Sequence, residues 1–355
     1  MKKKLKEICT GYTKNIAQKE LDDLSGDYEI FGASGLIKKI DYYISEVPYI
    51  GIVKDGSGVG RVNSYPAKSS LIGTMQYIVP NNDVDLQFLM YGLRSLNLGN
   101  LNRGAAIPHI YFKEYKEFEL NVPSKEEQQK IATELETIQS AIDNKKQQLS
   151  LLDEAVKSEF VEMFGENPVE SGKWKVETLG DIGKVSMCKR ILREQTAPEG
   201  DIPFYKIGTF GKKADAYISK ELYNEFKSKY SYPQKGSILI SASGTIGRAV
   251  VFDGEPAYFQ DSNIVWIDND ETKVLNSFLQ FWYGTNPWKI TQGGTISRLY
   301  NSNISEANVI IPPLEVQQSF AAFVQQIDKS KFVVKQQIAD LQELLDSKMQ
   351  KYFGE

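Results

Sequence analysis

The chain has 355 residues, 41% of them hydrophobic and 25% charged, with a formal net charge of -4. That length holds two ordinary domains with cores of their own, no apolar run approaches a membrane span, and the acidic balance argues against attachment to nucleic acid by bulk charge alone. Two distant cysteines, Cys9 and Cys188, and one histidine are too few for a disulfide framework, a His/Cys metal site or a Cys–His dyad, so both cysteines read as reduced thiols of a cytoplasmic protein.

The basic start MKKKLKEICTGYTK has no apolar signal-peptide core behind it. YEIFGASGLIKKIDYYI then predicts strand, turn and strand, with Ser34 and Lys38 near the turn. PYIGIVKDGSGVGRV predicts a buried strand, a glycine turn and a returning strand that carry Ser57 and Arg61. Its G-x-G-x-G does not fit a dinucleotide loop, because a strand and not a helix follows. A tight turn needing positive φ is the plainer reading. TMQYIVP is the next strand and DLQFLMYGLRSL a short helix; Arg103 and His109 follow at the end of this first globular part.

After Pro123 the pattern changes to one long helix. Ser124-Lys125-Glu126-Glu127 has the form of a capping box, and apolar residues from Ile131 through Phe160 fall at steps of three and four along one narrow seam. The second globular part offers the strands IPFYKIGTF, SILISASGTIGRAVVF and SNIVWID and the helix LNSFLQFWYGT. Its basic stretches MCKRILREQ and TFGKKADAY supply Lys189, Arg190, Arg193, Lys212 and Lys213. Its glycine turn carries Ser241, Ser243, Thr245 and Arg248, and Arg298 lies near its end. From Pro312 to the end a second seam runs through Phe320, Val324, Ile327, Val334, Ile338, Leu341, Leu345, Met349 and Tyr352.

The two tails are copies. A shift of 189 puts Pro123 on Pro312, Gln128 on Gln317, Ile138 on Ile327 and Phe164-Gly165-Glu166 on Phe353-Gly354-Glu355. Run backwards, it puts GAAIPHIY (Gly104 to Tyr111) on GGTISRLY (Gly293 to Tyr300). A period this long marks a duplicated domain and not a solenoid. The starts of the halves match loosely, and between start and end they share only the strand–glycine turn–strand signature. A helix of about forty residues, roughly 60 Å at about 1.5 Å per residue, cannot bury its seam alone, so the two seams are expected to pack as an antiparallel coiled coil. Lys145, Lys331 and Lys348 interrupt the apolar rows and either fix register or face outward. A coiled coil that merely dimerises two chains is the plain alternative.

Small donors and an arginine on a glycine-lightened turn suit close approach to a phosphate or a base edge. For each basic residue a solvated surface position is the competing reading. His109 falls on Arg298 in the other copy; a general base would not be replaced by arginine in a working duplicate, whereas a donor to phosphate or base could be. No methyltransferase N/D-P-P-[FY] loop, Walker loop or carboxylate cluster was found, so the chain is expected to do no covalent chemistry.

These features together resemble the specificity (S) subunit of type I restriction–modification systems. The resemblance rests on GAAIPHIY and GGTISRLY leading into NVPSKEEQQ and IIPPLEVQQ, on the long helices after them, and on YEIFGASG and DGSGVGR. It implies a mixed α/β (α+β) fold with a pseudo-two-fold internal duplication: target recognition domains at 1–123 and 167–311, and long conserved helices at 124–166 and 312–355 packed as an antiparallel coiled coil. Each domain would read one half of a bipartite sequence in double-stranded DNA, with Ser34, Lys38, Ser57, Arg61, Arg103 and His109 as candidate contacts in the first and Lys189, Arg190, Arg193, Lys212, Lys213, Ser241, Ser243, Thr245, Arg248 and Arg298 in the second. The helices would set the spacing and dock two modification (M) methyltransferase subunits, and restriction (R) subunits where the system has them. No cofactor is expected in this chain; S-adenosylmethionine belongs to the M subunits, ATP and Mg to the R subunits. A stand-alone methyltransferase or nuclease with an unrecognised motif, and a coiled-coil scaffold for proteins, are the rival readings.

Overall fold

Three sheets recur in the same strand order in the two halves of the chain. The structure is a computed structural model that describes residues 1–56, 58–101, 109–288 and 298–354. In the first half a four-stranded antiparallel sheet runs Cys9–Tyr12, Met75–Pro80, Tyr49–Val53, Val62–Tyr65; in the second the order is Gly183–Ser186, Ile264–Asn269, Ile238–Ser241, Ala249–Val251. Beside it lies a three-stranded sheet whose central strand, Tyr28–Gly32 or Ile202–Tyr205, has one antiparallel and one parallel neighbour. A two-stranded ribbon joins Lys2–Lys4 to Glu119–Asn121 in one half and Lys175–Thr178 to Asn308–Ile311 in the other. Every strand expected from the sequence is present. The duplication is also deeper than the sequence suggests: strand order persists where residue identity is lost, because sheets tolerate exchange of surface side chains as long as the inward face stays apolar.

The long helices occupy Lys125–Phe164 and Leu314–Phe353. Ser124 begins the first as expected, its Oγ accepting from the Glu127 N–H at 3.4 Å, and Gly165, at φ +96, stops it in a left-handed conformation. The chain folds as two compact units, residues 1–149 with 333–355 and residues 150–332. These boundaries cut through both helices and so differ from a division into readers and rods: each unit is a recognition part with its own stretch of both helices.

In the first unit Glu134 accepts from Lys348 and from the Tyr352 hydroxyl, while Gln139 borders a groove with Leu345 and Asp346, so the helices run in opposite directions. In the second, Asp153 pairs with Lys331 at 2.6 Å and Phe160 meets Phe320 at 5.8 Å between ring centres, again antiparallel. Two of the three seam lysines, Lys331 and Lys348, thus bridge the helices, while Lys145 bonds Gln148 on its own helix.

The seams do more than bury each other. Ile131, Leu135, Ile138, Ile142 and Leu345 share one core with Leu5, Ile50, Phe88 and Leu89 of the first recognition part. Val156, Phe160, Phe164 and Phe320 share another with Leu179, Val265, Phe278 and Trp282 of the second. Full burial of each such side chain is worth about 1.5–3 kcal/mol, so the helices and the sheets of a unit stand or fall together.

One polar residue per unit fixes that join. Gln128 is buried; its Oε1 accepts from the Asp85 N–H at 2.8 Å and its Nε2 donates to the carbonyls of Pro123 (3.0 Å) and Asp83 (3.3 Å). Gln317 repeats the arrangement with the Leu275 N–H (2.8 Å) and the carbonyls of Pro312 (2.8 Å) and Lys273 (2.9 Å). Asp85 and Leu275 precede the short helices Leu86–Ser95 and Asn276–Gly284. The repeated glutamine therefore ties the start of a long helix to the start of the short helix that packs on it.

Candidate nucleic-acid interface

The first glycine turn is closed by two backbone bonds, Val53 N–H to the Arg61 carbonyl and Gly60 N–H to the Val53 carbonyl, both 2.9 Å. Gly56 and Gly60 sit at φ +91 and +84, and a Cβ on Gly60 would fall 2.2 Å from the Gly99 nitrogen. The glycines serve a turn between two strands, as expected. Arg61, exposed, donates from Nη1 to the Ala33 carbonyl at 2.8 Å. Ala33 and Ser34 form the tip of the Tyr28–Gly32/Gly35–Ile40 hairpin, so this contact brings exposed Ser34 beside the glycine turn. Lys38 lies elsewhere: its ammonium is held by the carbonyls of Leu21 (2.7 Å) and Asp22 (3.3 Å), so its charge is engaged by the backbone and not offered at the turn.

His109 bridges to the base of the same turn, as an antiparallel partner of Asp55, and the Ile110 N–H reaches the Lys54 carbonyl at 3.0 Å. Its Nδ1 lies 2.6 Å from Asp55 Oδ1, and Lys54 Nζ lies 2.6 Å from Oδ2 of the same carboxylate. Burial pushes the Asp55 carboxyl up, but the hydrogen bonds from Lys54 and His109 together outweigh it and hold it below the usual carboxylate range. The ring is half-exposed beside an acid. Ser57 and Arg103 lie outside the described residues, as does most of GAAIPHIY.

The second turn has the same closure: Ser241 N–H to the Arg248 carbonyl (3.0 Å) and Gly247 N–H to the Ser241 carbonyl (2.9 Å), with Gly244 and Gly247 at φ +67 and +77. Ser241, expected as a contact, is buried and cannot be one. It is 2% exposed, and its Oγ accepts from the Arg248 N–H and bonds the Thr245 carbonyl, so it builds the turn from within. Thr245 is exposed at the tip. Arg248 donates from Nη1 to the Phe210 carbonyl at 3.0 Å, which sets the turn beside Gly211, at φ +71, and exposed Lys212 and Lys213.

Arg298 takes the place of His109, bridging Ser243, with the Leu299 N–H on the Ala242 carbonyl at 2.8 Å. Its Nη2 donates to the Ser262 carbonyl at 2.7 Å. Ser243 Oγ donates to Asn263 Oδ1 at 2.9 Å, and Arg190 Nε pairs with Asp261 Oδ2 at 2.9 Å. The segment Asp261-Ser262-Asn263 thus gathers Arg190, Ser243 and Arg298, with Ser262 itself at φ +54. Sequence reasoning missed this hub; its only signal is a run of turn-forming residues before a strand. Lys189 lies 5.2 Å from the ring centre of Tyr230, and Arg193 opens a single exposed 3₁₀ turn, Arg193–Gln195.

Each unit therefore presents a glycine turn, a residue bridged to its base and a neighbouring loop whose backbone accepts from the turn's arginine. Donors of this kind can take phosphate oxygens and base edges. Among the described residues no group of three or more His, Cys, Asp or Glu could hold a metal ion, and no helix is long and apolar enough to cross a membrane. Burial pushes both thiols, Cys9 and Cys188, up to about 12, the opposite of an activated nucleophile.

The sequence matches the model of the type I restriction modification DNA specificity domain over residues 1–154 and again over 171–343. A putative type I restriction enzyme specificity subunit of Haemophilus influenzae is 64% identical over 154 residues, 43% of this chain and 40% of that protein, so the match spans well under half of that relative's length. The MjaIX specificity subunit of Methanocaldococcus jannaschii is 27% identical over 308 residues, 78% of this chain and 71% of that one. In fold, the chain is similar to the type I S subunit from M. genitalium, at a TM-score of 0.64 and 18% identity, over 100% of this chain and 96% of the other.

Proposed function

The chain belongs to the type I restriction modification DNA specificity domain family, and from that premise we propose that it is the specificity subunit of a type I restriction–modification enzyme, a reader of double-stranded DNA that does no covalent chemistry itself. One observation carries the reading. A single frame of glycine turn, bridged residue and clamp glutamine is built twice on the same helix pair and dressed with different side chains each time. A copied frame with unlike surfaces suits one job done on two different half-sites.

In this proposal the first unit reads one half with Ser34 and His109, helped by Ser57 and Arg103, and the second reads the other with Lys189, Arg190, Arg193, Lys212, Lys213, Ser243, Thr245 and Arg298. Phosphate contacts supply affinity and salt dependence, and base-edge contacts supply the choice of sequence. Each bidentate base contact discriminates by about 1–3 kcal/mol. The long helices set the gap between the halves and dock two modification subunits, which bring S-adenosylmethionine; restriction subunits, where present, bring ATP and Mg. The assembly works in the cytoplasm.

Sequencing the methylated sites of a host that carries this chain with its modification subunit tests the reading. A bipartite motif is expected, and exchanging residues 167–311 for those of another family member changes one half only. Change in both halves refutes the modular account. Purified chain that methylates or cuts DNA alone points to a self-contained enzyme, and failure of the complex to bind any DNA points to a protein scaffold.

A further inference from the structure

Arg61 and Arg248 occupy the same place in the two glycine turns and make the same contact. Each follows the glycine, Gly60 or Gly247, whose N–H closes its turn, and each has its own carbonyl bonded to the strand opposite. The Cα of each arginine is thereby fixed. From that fixed point Nη1 crosses to a backbone carbonyl far away in sequence, Ala33 in the first unit and Phe210 in the second. The acceptors are followed by exposed residues suited to nucleic acid, Ser34 in one case and Lys212 and Lys213 in the other. A Cβ on Gly58 would come 3.0 Å from Arg61 Nη2, and Gly211, which follows the second acceptor, sits at φ +71.

We propose that these arginines are latches: Arg61 holds the hairpin tip at Ala33–Ser34 and Arg248 holds the loop at Phe210–Lys213, so that each positions the contacts of its neighbouring loop and does not itself select the half-site. Arginine suits the task because its rigid fork can hold a carbonyl with one nitrogen while staying charged. The donor turns are alike, but the accepting loops, Ala33–Ser34 and Phe210–Lys213, have little sequence in common, and the bond is made in both. Arg248 is half-buried and Arg61 exposed, so the latch in the second unit is the firmer of the two.

The inference rests on the DNA-reading proposal for its consequence but not for its geometry, and two measurements separate the two. Limited trypsin digestion of the whole chain needs no DNA. R248A and R248Q are expected to expose Lys212 and Lys213 to cleavage about tenfold faster than the parent, with R61A unchanged at that loop. Unchanged cleavage in folded R248Q overturns the latch whatever the chain binds. Duplex binding by the complex with its modification subunit gives the second test. R248Q and K212A/K213A should each weaken binding by about tenfold, and the triple variant should be no weaker than K212A/K213A within about twofold. Removing Arg248 from the K212A/K213A background should also leave the salt slope alone. A further additive loss, with the slope falling by about one as expected for a lost phosphate contact, overturns the latch and makes Arg248 a direct contact. A parent complex that binds no duplex while R248Q still loosens the loop leaves the latch standing and refutes the DNA reading.

Discussion

The two units share their glutamine clamp and the closure of their glycine turns, and differ at the exposed tips beside them. Gln128 and Gln317 clamp the same three backbone groups, and both glycine turns close by the same pair of bonds. Yet His109 faces an acid, Asp55, itself tied to Lys54, whereas Arg298 faces Ser243 and a carbonyl. Beneath the surface the chemistry changes but the packing role does not. Where the first unit uses Ile131 and Met349 on its long helices, the second has Phe320 and Phe160 at the equivalent positions, joined by Phe164, Phe278 and Phe281. Backbone groups buried at a join have one acceptable set of partners, so the join persists through divergence. Exposed tips carry no such obligation and are free to acquire new partners.

The sharpest way to separate the units energetically is in their cores. Phe320→Ala removes a fully buried ring that touches Phe160, Phe164, Phe278 and Phe281, and should cost about 3–5 kcal/mol. Hydrogen exchange resolved by unit should show the loss in residues 150–332. Ile131→Ala should cost about 2–5 kcal/mol in the other unit, and a loss spread evenly over both units by either variant would contradict two separate cores. The clamps should behave alike. Gln128→Ala and Gln317→Ala each strand a part-buried N–H and two carbonyls, at about 1–3 kcal/mol, and a clear difference between them in denaturant unfolding would break the equivalence of the joins.

Acid should tell the bridges apart. The Asp55 carboxyl is held below its ordinary value in the folded chain, so its contribution is fully present above the unfolded value near about 4 and is lost as pH falls through the folded one. Protection of the Ile110 amide should therefore weaken with acid before that of Leu299, its counterpart on the other bridge, and Asp55→Asn should abolish the difference. The smallest effect belongs to the helix pair. Glu134→Gln removes a partly exposed ion pair with Lys348, and a loss of about 0–1 kcal/mol is expected in thermal unfolding.

Much of this was legible in the chain itself. The seams, the capping serine, the Gly165 stop and the strand–turn–strand elements follow from local spacing, and the 189-residue shift exposed the duplication. Period alone could not tell that Ile131 and Phe320 face sheets as well as the other helix, since a seam records that a face is buried and not what buries it. The glutamine of each Q-Q pair was visible as a repeat, but its clamp depends on backbone groups over forty residues earlier. Ser241 looked like an exposed donor because a hydroxyl on a glycine turn has the same sequence signature whether it points out or in. The Asp261–Asn263 hub was invisible for a related reason: what it gathers comes from positions 190, 243 and 298, which only the sheet order brings together.

In the proposed subunit the helix pair sets the interval between two readers. Matched insertions of about seven helical residues, after Leu149 in one long helix and after Phe332 in the other, keep the pairing of each unit intact while adding about 10 Å. Sequencing the methylated sites should show a gap longer by about three base pairs at about 3.4 Å each, with both half-sequences unchanged. An unaltered gap, or altered half-sequences beside it, would contradict the account.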